Sequence, residues 1–437
     1  MPGSETVEPT HTRRDVLDNG LTVLIREMHT APLVSVWCWY RVGSGDEPPG
    51  ATGVSHWVEH MNFKGTTNIP RDEMKGIVER FGGAWNGYTW IDQTAYLETA
   101  GRHALDTLLF IESERMANSL YEAHECESER TVIISELQGG DNDPDQLLET
   151  EVTATAFRAH PYRHPTIGWI DDLRATSRET LYQHYRRHYV PGNATLVVVG
   201  DVNVDDVLRA AQAHFGRIES ASAPDRQRAP EPRQIGERRV RIEREGTTAY
   251  LKLAWHAPAV GDPDFFPMLV LDAALTGAKG TNLWTSFRGV PPQRKARLYT
   301  ALVERGLASS VSGSLLATAD PFLYSISLTA TDGVSLATLE EAAFAELERV
   351  RADGLTDAEI ARAKRQLRAR LVFENDSVTN IAHQLGYFET VAGPGYLDAI
   401  APSVQRVTVE QVASAATRRL ASDQRTVGWF QPIEPRQ

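Results

Sequence analysis

The sequence predicts an α+β protein built from two tandem domains of similar plan. Three observations lead there. The chain has 437 residues, more than one typical domain needs and enough to bury two cores. A polar stretch rich in Pro, Arg and Ala, Glu219 to Glu237, lies near its middle with neither helical nor strand periodicity. The order of strands and helices on one side of that stretch recurs on the other. With 41% hydrophobic and 24% charged residues, the composition is that of an ordinary globular protein.

Along the chain, "RRDVLDNGLTVLIRE" reads as two short apolar strands around Asp18-Asn19-Gly20, where Asn-Gly supplies the positive φ angles of a tight hairpin. "PLVSVWCWYRV" reads as a strand buried on both faces, because Val, Trp and Tyr occupy alternate positions of either parity. "GVSHWVEHMNFKGT" follows as a helix, with Val54, Trp57, Val58 and Met61 for packing. "HECESERTVIISELQGG" is a second helix, anchored by Val132, Ile133, Ile134 and Leu137 and ended by Gly139-Gly140. "SRETLYQHYRRHYVPGNATLVVVGDV" is a helix leading into an apolar strand.

The second half repeats this order. "TVEQVASAATRRLASDQRTVGWFQP" matches the last stretch, pairing Ser177 with Thr408, Glu179 with Glu410, Arg187 with Arg418 and Thr195 with Thr426. "AYLKLAWHAPAVGDPDFFPMLVLDAALTG" has the strand, loop and helix layout of "VSVWCWYRVGSGDEPPGATGVSHWVEHMNFKG". The expected division is a first domain over residues 1–222, an exposed linker over 223–234 with its midpoint near 228, and a second domain over 235–437. The first copy is equipped for chemistry and the second for architecture.

Charge and cysteine usage narrow the function. A formal net charge of -13 argues against polyanionic partners, so neither nucleic acid nor an anionic membrane is expected. "MPGSETVEPTHTRR" has no apolar run of a leader or spanning segment, which makes a cytoplasmic location the expectation. Cys38 and Cys126 are too few for a disulfide framework or a Cys-rich zinc module. Any metal must be held by His and carboxylate.

His56 and His60 are four residues apart and Glu59 lies between them, so one helix face presents all three. Two imidazoles one turn apart make a zinc bite that leaves room for a third ligand and a water. The carboxylate between them is placed to take a proton from that water, and His-x-x-Glu-His is the inverzincin order of these residues. The alternative is a core helix with satisfied histidines. A third ligand has an obvious source in Glu129 and Glu136, seven apart on one helix face, and spacing alone does not choose between them.

With these motifs the chain resembles the pitrilysin-type inverzincin metallopeptidases, a family that includes the mitochondrial processing peptidases. "GVSHWVEHMNFKGT" resembles the family's zinc helix, "FGGAWNGYTWIDQTAYLE" its Gly-Gly, Asn and Thr segment, and "ESERTVIISELQ" its second glutamate helix. "HPYRHPTIGWIDDL" and "HYVPGNATLVVVGDV" are similar to later landmarks, so the resemblance covers nearly the whole chain.

The resemblance implies two α+β domains per chain, each a largely antiparallel sheet covered by helices, the processing-peptidase-like metallohydrolase fold. It implies one zinc per chain held by His56, His60 and Glu136, with Glu59 as general base and Glu129 as a carboxylate in the catalytic machinery that orients a ligand. Asn86 would bind substrate beside a sheet edge to which a peptide adds by main-chain hydrogen bonds; a turn-forming Asn is the competing reading. Trp85, Trp90 and Tyr96 are open to a cleft or a core. Four such domains enclose a chamber, so this chain would act as half of a dimer on peptides or unfolded polypeptide.

The resemblance also has a gap. Active members carry an Arg and a Tyr in the second-half segment that here reads "ALVERGLASSV", where Val303 and Ser309 stand in their places. A homologous second chain would have to supply that pair. The competing functions are a scaffold or peptide-binding protein on the same fold, disfavoured by retention of the charged cluster, and other chemistry on an inverzincin helix such as that of S-ribosylhomocysteine lyases, disfavoured by length and repeat.

Overall fold

The computed structural model describes residues 11–282 and 293–433. The leader reading falls largely on residues 1–10, outside the described residues. Among the described residues no helix is long and apolar enough to cross a membrane.

Strands β1 (Arg13–Val16), β2 (Thr22–Glu27), β3 (Leu33–Tyr40), β4 (Ala84–Thr89), β5 (Thr94–Gly101) and β6 (Ala194–Gly200) form one sheet in the order β1-β2-β6-β3-β5-β4. Strands β7 (Arg238–Glu245), β8 (Tyr250–His256), β9 (Ala308–Leu315), β10 (Leu323–Ala330) and β11 (Arg425–Ile433) form the other, in the order β7-β11-β8-β10-β9. Apart from β1 the two orders are the same. Each sheet has one parallel pair, β2 with β6 and β7 with β11, and is antiparallel elsewhere. The matched residues Thr195 and Thr426 lie on the equivalent strands β6 and β11. The fold is therefore the expected tandem α+β pair.

The helices of the first half are α1 (Val54–Met61), α2 (Arg71–Arg80), α3 (Leu105–Asn118), α4 (Ala123–Asp141), α5 (Pro144–Ala156), α6 (Ile170–Ala175), α7 (Arg178–His188) and α8 (Val204–Phe215). In the second half α9 (Phe265–Leu275) stands where α1 stands in the first, followed by helices Leu336–Asp353, Asp357–Phe373, Val378–Val391, Tyr396–Arg406 and Val409–Arg419.

β3 shows how the halves join. Val34, Val36, Cys38 and Tyr40 point into a core made by first-half helices, while Trp37 and Trp39 point into a second cluster that continues through the other sheet. Each sheet has two apolar faces, and each half covers one face of the other's sheet. α5 packs on β7, β8 and β11, and helix Val378–Val391 packs on β3 and β6. Glycines permit the close approach: a Cβ on Gly428 would sit 2.2 Å from Val152, and one on Gly386 would sit 1.9 Å from the Trp39 ring. A cut near residue 228 would strip both sheets of a covering helix.

Three local expectations are corrected. Of the pair Asn19-Gly20 only Gly20 has a positive φ, 95°, because Asn19 is buried and donates from Nδ2 to the carbonyls of Phe215 (2.8 Å) and Ile218 (3.2 Å). β1 is exposed along most of its length, so it is an edge strand held by pairing and not by apolar burial. The segment 219–237 is irregular but is not an exposed linker throughout. Arg228 donates to Asp46 (3.0 Å), Asp92 (2.6 Å) and Asp320 (2.8 Å), and Glu231 accepts from the backbone N–H groups of Arg158 (2.9 Å), Ala159 (2.9 Å) and His160 (3.1 Å). Its charges satisfy groups on both halves, which ties the segment down.

Candidate metal centre

α1 starts at Gly53, whose φ of 86° turns the chain sharply into the helix. Its first N–H groups are satisfied by the buried Glu47 carboxylate, which accepts from Gly53 (2.8 Å) and Ser55 (2.7 Å). Val54, Trp57, Val58 and Met61 are buried in the first-half core. That rotation of the helix leaves His56, Glu59 and His60 on the face toward α4 and β4.

There the Nε2 atoms of His56 and His60 lie 3.2 Å apart. Glu136 reaches in from α4, with Oε2 3.9 Å from His56 Nε2 and 3.8 Å from His60 Nε2. One ligand atom from each of His56, His60 and Glu136 falls within 4.8 Å of the others. Two turns earlier on the same helix, Glu129 Oε1 lies 2.9 Å from His60 Nδ1, and Lys64 pairs with the same carboxylate. The geometry therefore separates the two glutamates: Glu136 faces the pair of Nε2 atoms and Glu129 faces the far side of one ring.

Protonation follows from these contacts. Burial alone would raise Glu129, but hydrogen bonds from His60 and Lys64 outweigh it and hold the carboxyl at about 2. An ionised carboxylate can only accept, so His60 donates to it from Nδ1. Burial would lower His60, but that hydrogen bond and the charges of Glu59, Glu129 and Glu136 outweigh it and raise the ring above the usual imidazole value. Burial, then the neighbouring His60, push His56 down to about 3, so its ring is neutral. Glu59 is buried, which pushes it up to about 7 against the opposing effects of His60 and a Thr89 hydrogen bond. His56 Nδ1 is buried without a hydrogen-bond partner among the described residues.

β4 closes the other side of Glu59. Thr89 Oγ1 donates to Glu59 Oε2 at 3.1 Å. A Cβ on Gly87 would lie 3.1 Å from Glu59 Oε1 and 3.0 Å from the Phe63 ring, so glycine lets the strand run close past the carboxylate. Strand alternation puts Trp85, Gly87 and Thr89 on this face and Asn86 on the opposite one, with Tyr88. Asn86 is thus mid-strand and exposed, neither in a turn nor beside the histidines. Trp85 is half-buried against Phe63, at 5.1 Å between ring centroids; Trp90 and Tyr96 are core residues.

His56 and Glu136 open into a cavity of about 950 Å³ lined from both halves, including Thr89, Tyr162, Lys252, Ser312 and Ser325. Glu59, His60 and Trp85 line an adjoining one of about 530 Å³. Val303, half-buried in the helical segment Tyr299–Val303, and Ser309, exposed on β9, line neither. The helix α9 carries no histidine, and its Asp272 accepts from Thr276 (2.7 Å) and Tyr324 (3.1 Å).

Sequence reasoning left Thr89, Lys64, Gly87 and Glu47 without roles. Lys64 lies just past the C-terminal end of α1, four residues after His60. The other three contact α1 through tertiary approach, which spacing does not encode. Two details of α4 also differ from expectation. Val132 is exposed, so Ile133 is the buried anchor. Gly139 and Gly140 lie inside the helix, whose ladder continues to Asp141.

The family model described as "Insulinase (Peptidase family M16)" matches residues 22–168, and that described as "Peptidase M16 inactive domain" matches residues 175–367. The chain is 27% identical over 416 residues to a probable mitochondrial-processing peptidase subunit beta of Schizosaccharomyces pombe, covering 94% of this chain and 88% of that one. It is 28% identical over 374 residues to the zinc protease PqqE of Helicobacter pylori, covering 84% and 80%. The crystal structure of a protease from Helicobacter pylori superposes with a TM-score of 0.88 at 25% identity, covering 97% of this chain and all of the other.

Proposed function

Because the chain belongs to peptidase family M16, we propose that it is a zinc-dependent endopeptidase of peptides or unfolded segments, with His56, His60 and Glu136 holding the metal and Glu59 as general base. The observation that carries this reading is the convergence of two imidazole nitrogens and a carboxylate within 4.8 Å, beside a second carboxylate, the buried Glu59. Two nitrogens and one oxygen are the donor set of a catalytic zinc site, which keeps a position open. Bound there, zinc would supply Lewis acidity that makes water a better proton donor.

The chain's own residues do the rest. Glu129 holds the His60 ring and its tautomer. Glu59, kept close to neutral pH by burial, accepts a proton from water and can return it to the leaving amine. Thr89 fixes the rotation of that carboxylate. β4 pairs only with β5 among the described residues, so its outer edge is free to take an extended substrate by main-chain hydrogen bonds beside Glu59; Asn86 would contact such a peptide from the face opposite the histidines.

The test uses two variants of the full chain in its active assembly. Glu59→Gln should retain zinc and lose at least about 10²-fold in peptide hydrolysis, the expectation for a general base. His60→Ala should lose zinc by elemental analysis. Wild-type hydrolysis by the first, or full zinc in the second, overturns the assignment.

A further inference from the structure

A third cavity, of about 470 Å³, opens at the N-terminal end of α1, walled by α7, by Arg41 after β3 and by residues 224–227 of the connecting segment. Three arginines line it: Arg41, Arg187 and Arg226. They act on common ground, because the charges of Arg187 and Arg226 both bear on His188 and that of Arg226 also bears on Arg41.

The carboxylates around them are largely committed. Asp46 pairs with Arg226 (3.4 Å) and Arg228 (3.0 Å). Glu47 accepts from the start of α1. Glu389, whose charge also bears on Arg41, is bonded by Arg14 at 2.9 Å. Asp225 is exposed on the rim. Two buried nitrogens are left over. Arg41 Nε, a donor, is buried with no hydrogen-bond partner among the described residues, and so is Nδ1 of His188, a residue 7% exposed. Buried donors without acceptors are costly, and like charges crowded beside them add to that cost.

We propose that this cavity binds a phosphate-type oxyanion, held by Arg41, Arg187 and His188, and that its occupant stiffens the helix carrying His56 and His60. A tetrahedral oxyanion offers acceptors in several directions, which suits guanidinium N–H groups and an imidazole lining one cavity. The link to α1 is direct. His184, one turn before His188 on α7, has Nε2 3.2 Å from Ser55 Oγ, and Ser55 Oγ donates to the Gly43 carbonyl at 3.1 Å. An anion that fixes the end of α7 therefore restrains the residue preceding His56. The site needs no metal in the centre, so it stands or falls separately from the peptidase reading.

The test titrates the full metal-free chain calorimetrically with inorganic phosphate and, in a second arm, with glycerol 2-phosphate. Saturable binding is expected, weakened at least about tenfold by Arg187→Gln and by Arg41→Gln, as for loss of a charged hydrogen bond. Equal affinity for the two probes assigns the free anion, and preference for the second assigns a phosphate monoester. Arg187 is exposed, so its variant keeps the fold and guards against a collapsed Arg41 variant. Hydrogen exchange over residues 53–61 should slow with phosphate in the wild type and not in Arg187→Gln. Absence of saturable heat with either probe, wild-type affinity in both variants, or exchange over 53–61 that ignores phosphate overturns the proposal.

Discussion

Glu129 Oε1 lies 2.9 Å from His60 Nδ1, on the side of the ring away from Glu136. The two glutamates share a helix face and divide the labour between them: one holds the ring at Nδ1 and the other faces its Nε2. Lys64, just past the end of α1, anchors Glu129.

The first prediction follows from that contact. Glu129→Ala should weaken zinc affinity about 10- to 100-fold, the usual effect of removing a group that orients a ligand. Glu129→Gln should cost less, because its amide oxygen can still accept from Nδ1 while the charge is lost. Competition titration against a chelator measures both. Equal affinities in wild type and Glu129→Ala would assign Glu129 to packing alone.

A second prediction concerns pH. His383, fully buried on helix Val378–Val391, is pushed down to about 3 by burial, and Tyr88 OH lies 2.7 Å from its Nε2. Between pH 6.5 and 3 the unfolded chain binds a proton at this residue and the folded chain does not. Stability from this group is therefore whole above 6.5 and is lost as pH falls through that window. His383→Gln removes the proton. The stability gap between wild type and variant, measured by urea unfolding of the metal-free chain, should shrink by about 2 kcal/mol from pH 7 to pH 5. The other histidines titrate alike in both proteins and cancel. A gap independent of pH would mean that His383 takes up its proton as readily in the folded chain as in the unfolded one.

How far these features were legible depended on whether they were local. The helix of His56, Glu59 and His60 was readable because one 3.6-residue period fixes its face, and so was β3, where apolar residues of both parities demand burial on both sides. The repeat was readable because matched stretches such as those at Thr195 and Thr426 keep their order. The exchange of α5 and helix Val378–Val391 between sheets was not, since an apolar helix face does not name the sheet that it covers. Nor was the division between Glu129 and Glu136, which lie on one face and differ only in where α1 crosses α4. Thr89, Gly87 and Glu47 reach α1 from other elements and left no mark in local spacing.

The last prediction concerns what the chain lacks. The family resemblance expects an Arg and a Tyr where Val303 and Ser309 stand, and neither residue lines the cavities beside the histidines. Ser309 Oγ instead donates to the Thr329 carbonyl at 3.4 Å on its own sheet. The oxyanion formed when a peptide carbonyl is attacked needs donors, and loss of one such donor costs about 10² to 10³ in rate. The isolated chain should therefore hydrolyse peptides weakly, and a homologous second chain bringing an Arg and a Tyr should restore the rate. Assays of the chain alone, the partner alone and their equimolar mixture on one unfolded substrate decide the matter. If the isolated chain, chelator-sensitive and free of other proteases, matches the mixture per zinc site, donors within this chain do the work and the two-chain expectation is overturned.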